Sequence, residues 1–256
     1  PPWRPMARGT LLVMTPSRVR WHLGRVLSRQ FETEAAIRLE LDVPTWPGNV
    51  AGAHLDIRLT APDGYQASRS YSLASSGEST RVVLVIQELP GGEVSPFLVR
   101  QLAEGEEVEV QGPLGRFFVW IPAEPEQSPV QLIAGGSGVV PLFSMASARE
   151  REPKGADFRL LYSVRSPRDE FFADELAELS RTIVEIVHTR ESAPGAGRPP
   201  RRLTREALAA STFPASLSPR IFVCGPTPFV EAVAGWLVEL GHDPAQIRTE
   251  RFGGSP

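Results

Sequence analysis

The proline- and glutamate-rich stretch at residues 122–129 splits this 256-residue chain into halves with different rhythms, and so different architectures. Upstream, apolar and polar residues alternate in short runs: Leu23–Leu27, Ala36–Leu41, His54–Leu59, Arg81–Ile86, Glu107–Val110 and Phe117–Trp120. A period of two marks strands that bury one face, and the Pro62-Asp63-Gly64 turn punctuates them. One helix is expected over Ser95–Leu102, with Ser95 as N-cap and Pro96 in its first turn. Six strands with one helix predict an antiparallel β-barrel over residues 18–122. Residues 1–17, without periodicity, read as an N-terminal arm, and 123–129 as a linker. Downstream, strands alternate with helices. Val130–Ala134, Phe158–Val164, Thr182–Val187 and Arg220–Val223 are strand runs. Helices are expected near 139–150, over Phe171–Leu179, Thr204–Ala210 and Thr227–Leu240. That alternation predicts an α/β domain over 130–256, with a parallel sheet covered on both faces.

Composition excludes several function classes. The net charge is −3, which argues against nucleic acid as a partner. Cys224 is the one cysteine, so no internal disulfide, iron–sulfur cluster or cysteine-based zinc site can form. The four histidines lack ligand spacing, and no metal site is expected. No apolar run reaches the length of a membrane span and no leader is visible, so the expectation is a cytoplasmic protein without membrane insertion.

Five strings carry the chemistry, and their order matters more than any one alone. Arg69-Ser70-Tyr71-Ser72 supplies a forked cation for phosphate, a flat ring and a hydroxyl. Gly91-Gly92-Glu93-Val94-Ser95 lets backbone approach a ligand closely just before a helix. Gly135-Gly136-Ser137-Gly138, between a buried strand and a helix, has the general form of a pyrophosphate turn, without the six-residue dinucleotide fingerprint or a P-loop lysine. Cys224-Gly225-Pro226 ends a strand, and Glu250-Arg251-Phe252 lies near the end of the chain. Together they describe two facing nucleotide sites, one suited to a flavin and the other to a nicotinamide nucleotide. Arg165, Ser166 and Arg168 follow the second strand of the α/β half, where cations and a hydroxyl can grip a 2′-phosphate and favour NADPH over NADH. Gly112–Phe117 reads as a shaped loop closing the barrel.

Residues 20–254 resemble the ferredoxin–NADP reductase superfamily. The resemblance rests on Arg-Ser-Tyr-Ser-Leu at 69–73, Gly-Gly-Glu-Val-Ser-Pro-Phe-Leu at 91–98 and Gly-Pro-Leu-Gly-Arg-Phe at 112–117. It continues in Ala-Gly-Gly-Ser-Gly-Val-Val-Pro-Leu at 134–142, Val-Cys-Gly-Pro at 223–226 and Glu-Arg-Phe-Gly at 250–253. It implies an FAD-binding barrel followed by an NAD(P)-binding α/β domain. By that likeness Arg69 contacts FAD phosphates, Tyr71 packs on the flavin and Ser72 bonds near its N5, with Ser70 and Leu73 in the same string. Gly91, Gly92, Glu93, Val94 and Ser95 form the pyrophosphate turn, and Phe252 shields the flavin face. Gly136, Ser137, Gly138, Cys224, Gly225 and Pro226 receive the nicotinamide nucleotide, and Ser72, Cys224 and Glu250 border the hydride-transfer site. Ser137 stands where the family carries threonine, which keeps the hydroxyl.

The implied activity is transfer of hydride from NADPH or NADH to FAD, then of electrons to an acceptor. Many relatives carry a fused [2Fe–2S] domain. One cysteine leaves no place for it here, so the expected acceptor is a separate ferredoxin or other redox protein. Two alternatives are a ferric-siderophore or free-flavin reductase, and a non-catalytic flavin-binding redox-sensing subunit.

Overall fold

The computed structural model describes residues 20–122, 128–192, 195 and 199–252; the expected N-terminal arm, most of the expected linker and Gly253 lie outside them. In the first half, β1 (Trp21–Thr33), β2 (Ala36–Asp42), β3 (His54–Thr60), β4 (Gln66–Ser72), β5 (Arg81–Gln87) and β6 (Glu107–Leu114) form one antiparallel sheet in the order β4-β3-β6-β1-β2-β5. Its two end strands meet through a bridge between Leu73 and Leu84, which closes the barrel as expected. Alternation sets the interior: Ile37, Leu39 and Leu41 of β2 are fully buried, while Arg38, Glu40 and Asp42 between them are half-exposed. Helix α1 (Ser95–Arg100) buries Leu98 and Val99 in that core.

The second half is a five-stranded parallel sheet in the order β11-β10-β7-β8-β9, built from β7 (Val130–Gly135), β8 (Phe158–Val164), β9 (Thr182–His188), β10 (Arg220–Pro226) and β11 (Ile247–Phe252). Successive residues of its central strands serve opposite faces. Leu132, Leu160 and Phe222 pack with α2 (Val139–Glu150) and α3 (Ala173–Glu178). Ile133, Leu161 and Val223 pack with α4 (Arg205–Ser211) and α5 (Thr227–Glu239). Both sheet faces are therefore covered, which explains the unbroken apolar runs.

Four local expectations need correction. Ser95 does not cap α1: Val94 holds that position, and the Ser95 hydroxyl accepts the Leu89 N–H at 3.0 Å. Residues 117–120 form no strand. Phe118 and Trp120 instead cross to the α/β half, where they meet Phe222 and Phe158 edge-on at 5.5 and 5.0 Å. Arg69–Ser72, which falls in none of the strand runs expected from sequence, lies inside β4. The stretch after residue 240, given no strand from sequence, adds β11 to the parallel sheet.

The two halves also meet elsewhere. Ser76 donates to the Ser144 carbonyl at 3.2 Å, and buried Ser144 donates back to the Ser75 carbonyl at 3.0 Å. On another side, Glu32 and Arg38 of the barrel reach Phe172 and Glu175.

Candidate active site

Strand β4 carries the flavin-type string, and its pairing with β3 aims each side chain. Tyr71 opposes Leu55 and packs partly buried on the barrel core. Burial pushes its phenol up to about 12, so it stays neutral. Ser72 opposes His54; its hydroxyl is buried and has no hydrogen-bond partner among the described residues. Ser70 donates to Asp56 at 2.5 Å, and Leu73 is fully buried at the barrel seam. Arg69 is exposed and reaches Glu93 at 3.4 Å, which brings its guanidinium to the Gly91–Ser95 turn. Gly91 has φ +76°, which a side chain would oppose, while Gly92 packs beneath it against the Leu89 carbonyl. Val94 is buried in the barrel core. Beside this turn a groove of about 1000 Å³ runs along Tyr65, Ala67, Glu93, Val94 and Phe97.

A dinucleotide with a flavin ring fits this set. An orphaned buried hydroxyl at Ser72 calls for a polar ring atom, because an unsatisfied buried group is costly. Tyr71 offers an apolar face, and Arg69 a cation where Glu93 is the competing anion.

The opposite wall comes from the carboxyl ends of the parallel strands, where ligands of such sheets bind. Gly136–Gly138 form a turn of 3₁₀ helix between β7 and α2. A Cβ on Gly138 would lie 2.2 Å from the Cys224 carbonyl oxygen, so only glycine lets this turn seat against β10. Gly135 and Gly225 pack in the same way on the ring of Phe229. A cavity of about 230 Å³ opens there, lined by Gly136, Ser137, Arg165, Asp169, Phe171 and Pro226, among others. Of the three residues expected around a 2′-phosphate, Arg165 alone lines it. Ser166 is buried and donates to Asp169 at 2.6 Å. The Arg168 guanidinium is engaged by both oxygens of Glu191, at 2.9 and 3.1 Å.

Register brings the expected catalytic residues together. Cys224 lies opposite Glu250 in the β10–β11 pair. Burial pushes the Cys224 thiol up, and the nearby Glu250 carboxylate adds to this, so the sulfur stays protonated. Burial raises Glu250 from 4.5 to about 7. Its Oε2 is buried without a partner among the described residues, and its Oε1 lies 3.6 Å from His54 Nδ1. Burial lowers the His54 imidazole and raises the Glu250 carboxyl, so it disfavours the charged form of both partners in this contact. Phe252 pairs with Pro226 and packs, half-buried, on the core that contains Cys224.

Sequence reasoning passed over His54 and Asp169. Nothing in their local patterns marks them. His54 is one of four scattered histidines, and Asp169 follows an arginine-rich loop. Cross-strand pairing with Ser72 identifies the first, and the hydrogen bond to Ser166 the second. No cluster of His, Cys, Asp or Glu fit to hold a metal ion occurs among the described residues, nor any helix long and apolar enough to cross a membrane.

Comparison with known proteins finds two domain families in the chain. Residues 27–119 match the oxidoreductase FAD-binding domain family, and residues 132–235 the oxidoreductase NAD-binding domain family. The chain is 32% identical over 216 residues to the glycine betaine monooxygenase reductase subunit of Pseudomonas aeruginosa (strain UCBPP-PA14), an alignment covering 82% of this chain and 57% of that protein. It thus spans little more than half the length of that relative. The flavohem-like FAD/NAD-binding domain of nitric oxide dioxygenase from Vibrio cholerae superposes with a TM-score of 0.77 at 25% identity, covering 91% of this chain and 99% of that one. A ferredoxin–NADP⁺ reductase from Neisseria gonorrhoeae with bound FAD and NADP shares the fold, with a TM-score of 0.73 at 20% identity over 90% of this chain and 98% of that one. With an FAD-binding barrel followed by an NAD-binding α/β domain, the chain belongs to the ferredoxin–NADP reductase superfamily.

Proposed function

We propose that this chain is an FAD-dependent NADH reductase that hands electrons to a separate redox protein. The observation that carries the reading is the line Ser72–His54–Glu250–Cys224, which joins the two cofactor walls and holds two buried polar atoms without partners among the described residues. FAD bound there supplies a hydride acceptor that can release electrons singly, and the nicotinamide supplies the hydride. The chain contributes position and electrostatics. Arg69 and the Gly91–Ser95 turn hold the phosphates, Tyr71 supports one ring face, and the Ser72 hydroxyl fixes the ring edge. Neutral Cys224 presents an uncharged sulfur beside the nicotinamide. Glu250, titrating near neutrality, holds or releases a proton at Oε2. Gly136–Gly138 receives the second pyrophosphate.

NADH is favoured over NADPH by the acidic groups around the sugar subsite. Asp169 lines the cavity, and Glu191 engages the Arg168 guanidinium that would otherwise meet a 2′-phosphate. A carboxylate there accepts a ribose hydroxyl and repels a phosphate. A protein acceptor of the oxygenase type is favoured by the relative named as the reductase subunit of a monooxygenase. Anaerobic mixing of the FAD-loaded protein with NADH and NADPH in parallel, then with a ferredoxin, a cytochrome, free flavin and a ferric chelate, tests this reading. Rapid bleaching by NADH and fastest reoxidation by a protein acceptor are expected. No bleaching by either nucleotide refutes it, and reoxidation by free flavin or ferric chelate alone makes the acceptor a small molecule.

A further inference from the structure

Phe172 has φ +59°, one of two non-glycine residues with positive φ among those described. A bulky residue stays left-handed only when its surroundings hold it there. Those surroundings come largely from the other half of the molecule. Glu32, at the end of β1, accepts the Phe172 N–H at 2.5 Å, and its side chain is only 8% exposed. Arg38 of β2 donates to Glu32 through Nε at 2.8 Å and through Nη2 at 3.2 Å. Its guanidinium also pairs with Glu175 of α3 and lies 5.1 Å from the centre of the Phe172 ring. From within the α/β half, Phe143 stacks flat on the same ring at 4.0 Å.

The neighbouring residue faces the ligand. Phe171 is buried, gives its N–H to the Tyr162 hydroxyl at 3.2 Å and lines the cavity at the carboxyl ends of β7 and β8. Residues 171 and 172 are consecutive, so a turn of the Phe172 backbone to an ordinary helical angle redirects Phe171.

We propose that Glu32 and Arg38 are positioning residues for the nicotinamide nucleotide: from the barrel, they hold Phe172 left-handed and so keep Phe171 as a wall of the nucleotide cavity. The inference rests on the reading that this cavity takes NADH. Neither residue touches the cavity, and neither belongs to the strings that mark the cofactor sites. The arrangement couples the flavin-bearing half to nucleotide affinity.

The test is titration calorimetry of the FAD-loaded full chain with 1,4,5,6-tetrahydro-NAD, which binds without transferring hydride. Glu32→Ala should weaken binding roughly tenfold, the scale of one lost charge-assisted hydrogen bond. Glu32→Gln, which keeps a carbonyl for the Phe172 N–H, should recover most of that affinity. Arg38→Met, which leaves Glu32 unaligned, should weaken binding by about threefold to tenfold. FAD stoichiometry should stay unchanged in all three. Unchanged affinity with only a lower melting temperature would make the pair a structural clasp and overturn the inference while leaving the NADH reading intact. If Glu32→Ala fails to fold, the same affinity in Arg38→Met as in the parent overturns it equally. A parent chain that does not bind the analogue overturns the NADH reading and this inference with it.

Discussion

Replacing Glu250 by glutamine should make the protein more stable at alkaline pH and leave it unchanged at acid pH. Burial raises this carboxyl from 4.5 to about 7, and its side chain is 22% exposed. In the unfolded chain it ionises near the ordinary value. Below that value both states are protonated, and the site contributes no pH dependence. Between about 4.5 and 7 the folded state keeps a proton that the unfolded state releases, so stability falls as pH rises. Above pH 7 the full cost applies. A shift from 4.5 to about 7 corresponds to about 3 kcal/mol. Glutamine keeps the shape and carries no charge at any pH. The gap between variant and parent should therefore open from nothing near pH 4.5 to about 3 kcal/mol by pH 8, or roughly 6–12 °C in melting temperature for a chain of this size. Differential scanning fluorimetry at half-unit pH steps, with FAD in excess, measures it. Parallel melting profiles across the range would show that Glu250 ionises normally, and the argument for a proton held at Oε2 would fall.

Further changes test other parts of the site. Arg69→Ala should weaken FAD retention about tenfold or more while leaving the circular dichroism spectrum unchanged; an unaltered flavin-to-protein ratio after gel filtration removes Arg69 from the phosphate site. Gly138→Ala, with its Cβ 2.2 Å from the Cys224 carbonyl oxygen, should cost about 3 kcal/mol or more and abolish bleaching by NADH. A normal melting temperature in that variant contradicts the close packing of this turn on β10. Asp169→Ala should raise the ratio of kcat/KM for NADPH over NADH by about tenfold. A constant ratio moves nucleotide selection elsewhere.

The legible parts of the fold are those where burial follows a simple period. Ile37, Leu39 and Leu41 mark a barrel strand because every second residue goes inside. Val130–Ala134 marks a central parallel strand because both of its faces are covered. What escaped notice owes its structure to pairing across space. β11 reads Ile-Arg-Thr-Glu-Arg-Phe, too charged to suggest a strand, yet its backbone pairs along β10 from Ile247 to Phe252. Arg69–Ser72 is equally polar and is held as a strand by its pairing with β3. Phe117–Trp120 has the apolar character of a strand because Phe118 and Trp120 are buried, but against the other half of the molecule. The expected helix at Phe171 begins at Ala173 because Phe172 turns left-handed. The same division holds in the site. Glycine turns and the Arg-Ser-Tyr-Ser string announce themselves locally. The roles of His54 and Glu32 depend on partners far along the chain, Ser72 and Phe172, and that of Asp169 on a hydrogen bond to Ser166 that is invisible in one dimension.

Phe118 and Trp120 carry a lesson for anyone recombining such two-domain chains. By position they precede the proline-rich stretch, yet their rings complete the hydrophobic interior beneath β7, β8 and β10. A chimera joined at residue 130 would inherit two foreign aromatics in the foundations of its nucleotide-binding half. A crossover placed before Phe117 transplants that interior intact.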